Sequence, residues 1–157
     1  IRYALQQLQA DWYIYTDIDF PYTIQSLLSV ADSLRNSADV AAGVRDEMYY
    51  VDVPQIRTLI SKILRLFFNL LFHIPITDTQ CGLKGFNEVG KQQMLATTIE
   101  RFLFDMEFII RVNKQKEMLL KPVSVELKKG ITFSKMSFGV LLKEFGNFIR
   151  LLYMANR

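Results

Sequence analysis

The chain has 157 residues, of which 50% are hydrophobic and 22% charged. That balance excludes a disordered chain and allows a core of its own. A single cysteine, Cys81, excludes an internal disulfide, and the formal net charge of +3 suits an anionic membrane surface, a phosphorylated substrate or nucleic acid without choosing among them.

The chain begins at Ile1 with no charged head, apolar run and cleavage site, so no signal peptide is expected. No stretch reaches the roughly 18 unbroken apolar residues of a membrane span. Ala4, Leu5 and Leu8 have helical spacing within Ile1 to Ala10. The aromatic and β-branched run Trp12 to Thr16 predicts a buried strand, running straight into Asp17-Ile18-Asp19. Ile24, Leu27, Leu28, Ala31 and Leu34 predict a helix. Asp39 to Val44 predicts a short strand closed by Gly43, followed by a polar loop to Pro54.

Gln55 to Phe72 predicts a long helix ending before Pro75. Asp78 to Phe86 predicts a loop with a short strand, and Asn87 is placed to cap the next helix. Phe104 to Gln115 predicts another helix. Met118 to Leu127 predicts a strand that Pro122 confines to an edge or an irregular start. A polar loop, Gly130 to Ser137, leads to a last helix over Phe138 to Met154. Alternating strands and helices imply an α/β layered fold with a largely parallel sheet, whose ligands bind at the carboxyl ends of strands.

Asp17 and Asp19 lie just past such a strand end. In an extended segment, residues two apart share a side, and two carboxylates on one side repel unless a cation joins them. Oxygen ligands of this kind suit Mg²⁺ or Mn²⁺, which can neutralise a departing diphosphate. Alternatively, one aspartate caps Pro21-Tyr22 and the other is solvated. A haloacid-dehalogenase-type hydrolase also uses a strand followed by D-x-D, but that family has a hydroxyl residue where this chain has Pro21.

Four segments together resemble the family 2 glycosyltransferases, most closely the dolichyl-phosphate and polyprenyl-phosphate sugar synthases. They are Thr16-Asp17-Ile18-Asp19, Ala42-Gly43-Val44-Arg45, the run Asp78-Thr79-Gln80-Cys81-Gly82-Leu83-Lys84-Gly85-Phe86, and Phe104-Asp105-Met106-Glu107. They match the family's D-x-D, G-S-R, D-T-Q-C-G-F-K-x-F and F-D-x-E, in that order. The resemblance implies the carboxyl-terminal part of one GT-A domain over residues 1–157, a Rossmann-like sheet with flanking helices. It also implies that strands before Ile1 bind the nucleotide base, so that this piece alone holds the donor weakly.

By the same resemblance, Asp17 and Asp19 hold a divalent metal and the donor diphosphate, and Lys135 closes over that diphosphate. Arg45, Arg57 and Ser61 face an acceptor phosphate, and Asp78 and Gln80 line the reaction centre. The implied partners are a nucleotide-sugar, a lipid-phosphate or glycan acceptor and the cytoplasmic face of a membrane, with no nucleic acid. Two departures stand out: Pro21 replaces a glutamine that many members use as a further metal ligand, and Val44 replaces a serine.

The residues carry physics of their own. Arg57, Ser61, Lys62, Arg65 and Asn69 form one polar stripe on the helix predicted over 55–72, opposite a broad apolar face. Lys143, Asn147 and Arg150 do the same in the last helix. Such helices can lie in a membrane interface, or they pack on the core or on another subunit. Arg57 and Ser61, one turn apart, can reach one phosphate, and a guanidinium fork suits it. A phosphate acceptor needs no strong base. A hydroxyl acceptor would need one, with Asp78 the candidate, whose rival role is to cap the amides of Thr79 or Gln80. His73 and Cys81 have no partners at ligand or catalytic spacing, and Cys81 is read as packing. A non-catalytic module binding anionic lipid is the alternative from another functional class.

Overall fold

A computed structural model describes residues 1–45, 74–76, 78–101, 103–128 and 138–155, with side chains in the last helix described over 146–154. The elements in chain order are α1 (Arg2–Gln7), β1 (Trp12–Tyr15), α2 (Ile24–Arg35), β2 (Val40–Arg45), β3 (Lys84–Asn87), α3 (Glu88–Leu95), α4 (Phe104–Lys114), β4 (Leu120–Val125) and α5 (Phe138–Ala155). The helix predicted over 55–72, the loops around it and the loop 130–137 lie outside the described residues.

The strands form one mixed sheet in the order β1-β3-β2-β4. β3 runs antiparallel to both neighbours, while β2 and β4 are parallel, with Val40 beside Leu120 and Arg45 beside Val125. β1, β2 and β4 therefore share one direction and β3 opposes them. The α/β layering expected from the sequence is present. The largely parallel pairing is not, because β3 is inserted between two strands that run the same way.

Strand alternation sorts the core onto two faces. Ala41, Leu83 and Val125 meet Val30 and Leu34 of α2 on one face. Tyr13, Val40, Ala42 and Phe86 meet Met94 of α3, Met106, Phe108, Ile109 and Ile110 of α4, and Leu151 of α5 on the other. α2 starts where Thr23 accepts a hydrogen bond from the Ser26 amide, and it can approach the sheet closely because Gly85 has no side chain. A Cβ at Gly85 would stand 2.8 Å from Val30 and 2.9 Å from Leu34. Asn87 caps α3 through the Gly90 amide, as its sequence position predicts. α4 is buried on nearly every side, and Phe108 stacks edge-on against Phe86 at 5.4 Å. Truncating Phe108 to alanine costs about 3–5 kcal/mol on that basis.

Two strand expectations are corrected. Among the described residues β1 is an edge strand with only Tyr13 buried, while Trp12 and Ile14 are exposed. Gly43 does not close β2 but lies inside it. A Cβ there would come within 2.6 Å of the Leu83 carbonyl and 2.8 Å of Cys81 Sγ, so glycine is required by close approach rather than by a turn. Pro122 lies on the outer edge strand β4, as a missing amide donor demands. Among the described residues, no helix is long and apolar enough to cross a membrane.

Candidate functional site

β1 stops at Tyr15, and the aspartates that follow are not in an extended segment. The Phe20 amide donates to the Asp17 carbonyl at 2.9 Å, which closes a tight turn with Ile18 fully exposed at its tip. Phe20 has a φ of 41°, a left-handed conformation seldom adopted by a bulky residue. The same-side argument for Asp17 and Asp19 is therefore corrected: the two aspartates stand on a turn rather than a pleat, and the Asp19 charge still acts on Asp17. The turn is braced from behind. Thr23 and Lys128 amides donate to Glu126 and Pro21 carbonyls, and the Lys128 ammonium stands 4.2 Å over the Phe20 ring.

Asp17 is seated on the loop that begins at Asp78. Its Oδ2 occupies the space of the missing Gly82 side chain, 2.0 Å from where a Cβ would be. Partial burial pushes the Asp17 carboxyl above its ordinary range, and the charges of Asp105 and Asp19 add to the push. Lys84 and Arg45 pull the other way. Residues from all four motif segments thus act electrostatically on one carboxylate.

Asp78 is fully buried. Arg45, the last residue of β2, grips it with both arms of its guanidinium: Nη2 donates to Oδ1 at 2.8 Å and Nε donates to Oδ2. The Arg45 amide reaches Oδ2 at 3.3 Å, and the Gln80 amide reaches Oδ1 at 3.2 Å. The capping role weighed for Asp78 is therefore present, and both of its oxygens are engaged. Nearby, Gln80 Nε2 and Thr16 Oγ1 are buried with no partner among the described residues. Buried polar atoms of this kind require one.

Beneath Asp17 lies a second ion pair. Lys84, the first residue of β3, is fully buried. Its ammonium donates to Asp105 Oδ1 at 2.7 Å and to the Cys81 carbonyl. The Tyr15 hydroxyl donates to the same Asp105 oxygen at 2.5 Å. Burial, followed by the Asp105 charge, drives the Tyr15 hydroxyl well above its ordinary value, so it stays a donor. On the opposite face of the loop, the Tyr22 hydroxyl accepts from the Gly82 amide at 3.0 Å and lies 3.4 Å from Cys81 Sγ. Glu107, the other acidic residue of its motif, turns away from the site. It accepts from the Thr98 and Ile99 amides at 2.8 and 2.7 Å and from Arg111 at 3.1 Å, which anchors the loop before α4.

No family model matches the chain, and no curated protein matches it.

The fit of a divalent cation rests on the donor set. No group of three or more histidine, cysteine, aspartate or glutamate side chains converges among the described residues. Asp17 and Asp19 would therefore supply two carboxylates at most. A hard cation that retains waters and takes its remaining oxygens from a substrate's phosphates is held in that way. The Gly82 gap that seats Asp17 and the unpartnered Gln80 amide fit such a ligand.

The structure brings together Asp17, Arg45, Asp78 and Gln80 at the end of the sheet where β1 and β2 finish and β3 begins. Asp19 is exposed on the turn. Arg57, Ser61 and Lys135 lie outside the described residues. Lys84, Asp105, Tyr22 and Lys128 are further residues of this region to which the motifs assign no role. A lysine and an aspartate, each set in an apolar run, were the available signal, since buried charges pair. A separate groove, lined by Gln9, Asp11, Tyr13, Asn87, Glu88 and Lys91, lies at the opposite end of the sheet. Lys91 there is engaged by the Leu8 carbonyl and the Tyr13 hydroxyl.

Proposed function

We propose that this chain is the carboxyl-terminal part of a GT-A glycosyltransferase domain of family 2 type, which moves a sugar from a nucleotide-diphospho-sugar to a membrane-associated acceptor. The observation that carries the reading is the contact of Asp17 with Gly82. It joins the D-x-D segment to the D-T-Q-C-G segment, two motifs 65 residues apart in sequence. A divalent cation, when bound, supplies charge neutralisation on the leaving diphosphate. Asp17 and Asp19 hold it on the protein side, and the Gln80 amide offers a hydrogen bond to an oxygen of the bound donor. Lys135 closes over the diphosphate from the 130–137 loop.

The choice of acceptor class is supported by Asp78. A general base needs an oxygen able to reach the acceptor proton. Asp78 is buried, with both oxygens occupied by Arg45 and backbone amides. That favours an acceptor already ionised at neutral pH, a polyprenyl phosphate, over a glycan hydroxyl. Arg45, oriented by Asp78, and Arg57 with Ser61 grip the phosphate at the cytoplasmic face of the membrane.

The test is a transfer assay with a panel of nucleotide-sugars and polyprenyl phosphate, before and after chelation of divalent metal. Metal-dependent transfer abolished by Asp19→Ala, with Arg57→Ala chiefly weakening acceptor use, supports the reading. Hydrolysis of simple phosphate esters through a phosphorylated Asp17 would replace it. Anionic-lipid binding with no metal-dependent uptake of a nucleoside diphosphate would replace it with a non-catalytic module.

A further inference from the structure

Lys84 is a buried cation that the proposed chemistry does not touch. Its position nevertheless links both walls of the Asp17 seat. One wall is the end of β1, where Tyr15 precedes Asp17 by two residues and donates to Asp105. The other is the loop through Cys81 and Gly82, whose Cys81 carbonyl accepts from Lys84. Both walls therefore converge on one assembly, the Lys84 ammonium and the Asp105 carboxylate at 2.7 Å. The Lys84 ammonium also lies 5.7 Å from the centre of the Tyr15 ring.

We infer that the buried Lys84–Asp105 pair is a positioning unit: Lys84 ties the Cys81 carbonyl to Asp105, Asp105 takes the Tyr15 hydroxyl, and together they hold the two walls where the Asp17 carboxylate seats against Gly82, and so set the affinity of that carboxylate for a divalent cation. The inference rests on the reading of Asp17 as a cation ligand and goes beyond it. A fully buried ammonium with a carboxylate and a carbonyl as partners is rigid, because any movement strands a charge out of water. Rigidity of this kind next to a ligand is worth affinity, and loss of such outer contacts typically weakens metal binding by about 10–100-fold.

The test is Mn²⁺ binding to the chain, followed by proton relaxation, alongside thermal unfolding. Lys84→Met combined with Asp105→Asn removes both buried charges together, so the fold is not left with one unpaired. The expected result is a folded protein with a Tm within a few degrees of the parent and Mn²⁺ affinity lower by about tenfold or more. Tyr15→Phe, which keeps both charges and frees only the β1 wall, should weaken Mn²⁺ several-fold, and it decides the matter if the double variant does not fold. Glu107→Gln, a buried carboxylate change on the same helix, should lower the Tm and leave Mn²⁺ affinity unchanged. Parental affinity in the folded double variant, or in Tyr15→Phe if that is the one that folds, would overturn the positioning role of the Lys84–Asp105 pair while leaving Asp17 as ligand. Equal Mn²⁺ binding by the parent and by Asp17→Ala would overturn the ligand reading itself, and the positioning role with it.

Discussion

Arg45 and Asp78 meet fork to fork across 33 positions of sequence, with the aspartate fully buried and the arginine at the end of β2. A planar guanidinium matches a carboxylate in this way, and an ammonium does not. Arg45→Lys should therefore act as a disruptive change. It gives up the paired guanidinium contact while the Arg45 and Gln80 amides remain, and unfolding stability should fall by about 1–3 kcal/mol. Denaturant unfolding of the variant checks this, and a loss under about 0.5 kcal/mol, the size of a surface change, would contradict it.

Gly82→Ala separates function from folding. Its Cβ would enter the space of the Asp17 carboxylate, the far end of an exposed side chain that can swing into solvent. The Tm should shift little, while the proposed metal-dependent transfer should fall by about tenfold or more, since a misplaced ligand loses affinity. Melting curves set beside the transfer assay give both readings.

Gly43→Ala should behave in the opposite manner. The atoms its Cβ would meet are the Leu83 carbonyl and Cys81 Sγ, neither of which is free to swing away, and the Gly43 amide donates to that same carbonyl. Overpacking of this kind costs about 1–3 kcal/mol. Chemical denaturation should show the loss even where the other motif residues are unaltered.

Acid should weaken the protein partly through Glu107. Burial raises its carboxyl, but the Ile99 and Thr98 amides and Arg111 outweigh that and leave it below the ordinary value of 4.5. A depressed folded value means the contribution is fully present above about pH 4.5 and is lost as pH falls through the folded value. Glu107→Gln should lower the Tm at pH 7, and the gap between variant and parent should narrow below pH 4.5. A gap that stays constant from pH 7 to pH 3 would count against this assignment.

Much of the fold was legible because its signals are local. Periodicity gave α2 and α4 to within a residue or so at each end, and Asn87 announced the start of α3. Gly43 and the D-x-D segment misled for a common reason. Gly43 serves a contact with Leu83, and the Asp17 turn is braced by residues 126–128, and neither partner is visible from neighbouring sequence. Strand pairing was hidden likewise, because the insertion of β3 between β2 and β1 follows from long-range packing. At the site, the sequence located Asp17, Arg45 and Asp78 but not the grip of one on another. From sequence Asp78 can be a base or a cap, and the cap contact with the Gln80 amide and the grip of Arg45 come only with the folded loop.

The bolting of two chain segments onto Asp105 has a consequence for how this protein can change over time. Replacing Lys84 alone strands an anion, and replacing Asp105 alone strands a cation, so each single step passes through a poorly folding ancestor. The two positions should drift as a unit, exchanged together or kept together. A survey of natural variants should find mismatched combinations rare, although neither side chain is among the proposed cation or acceptor ligands.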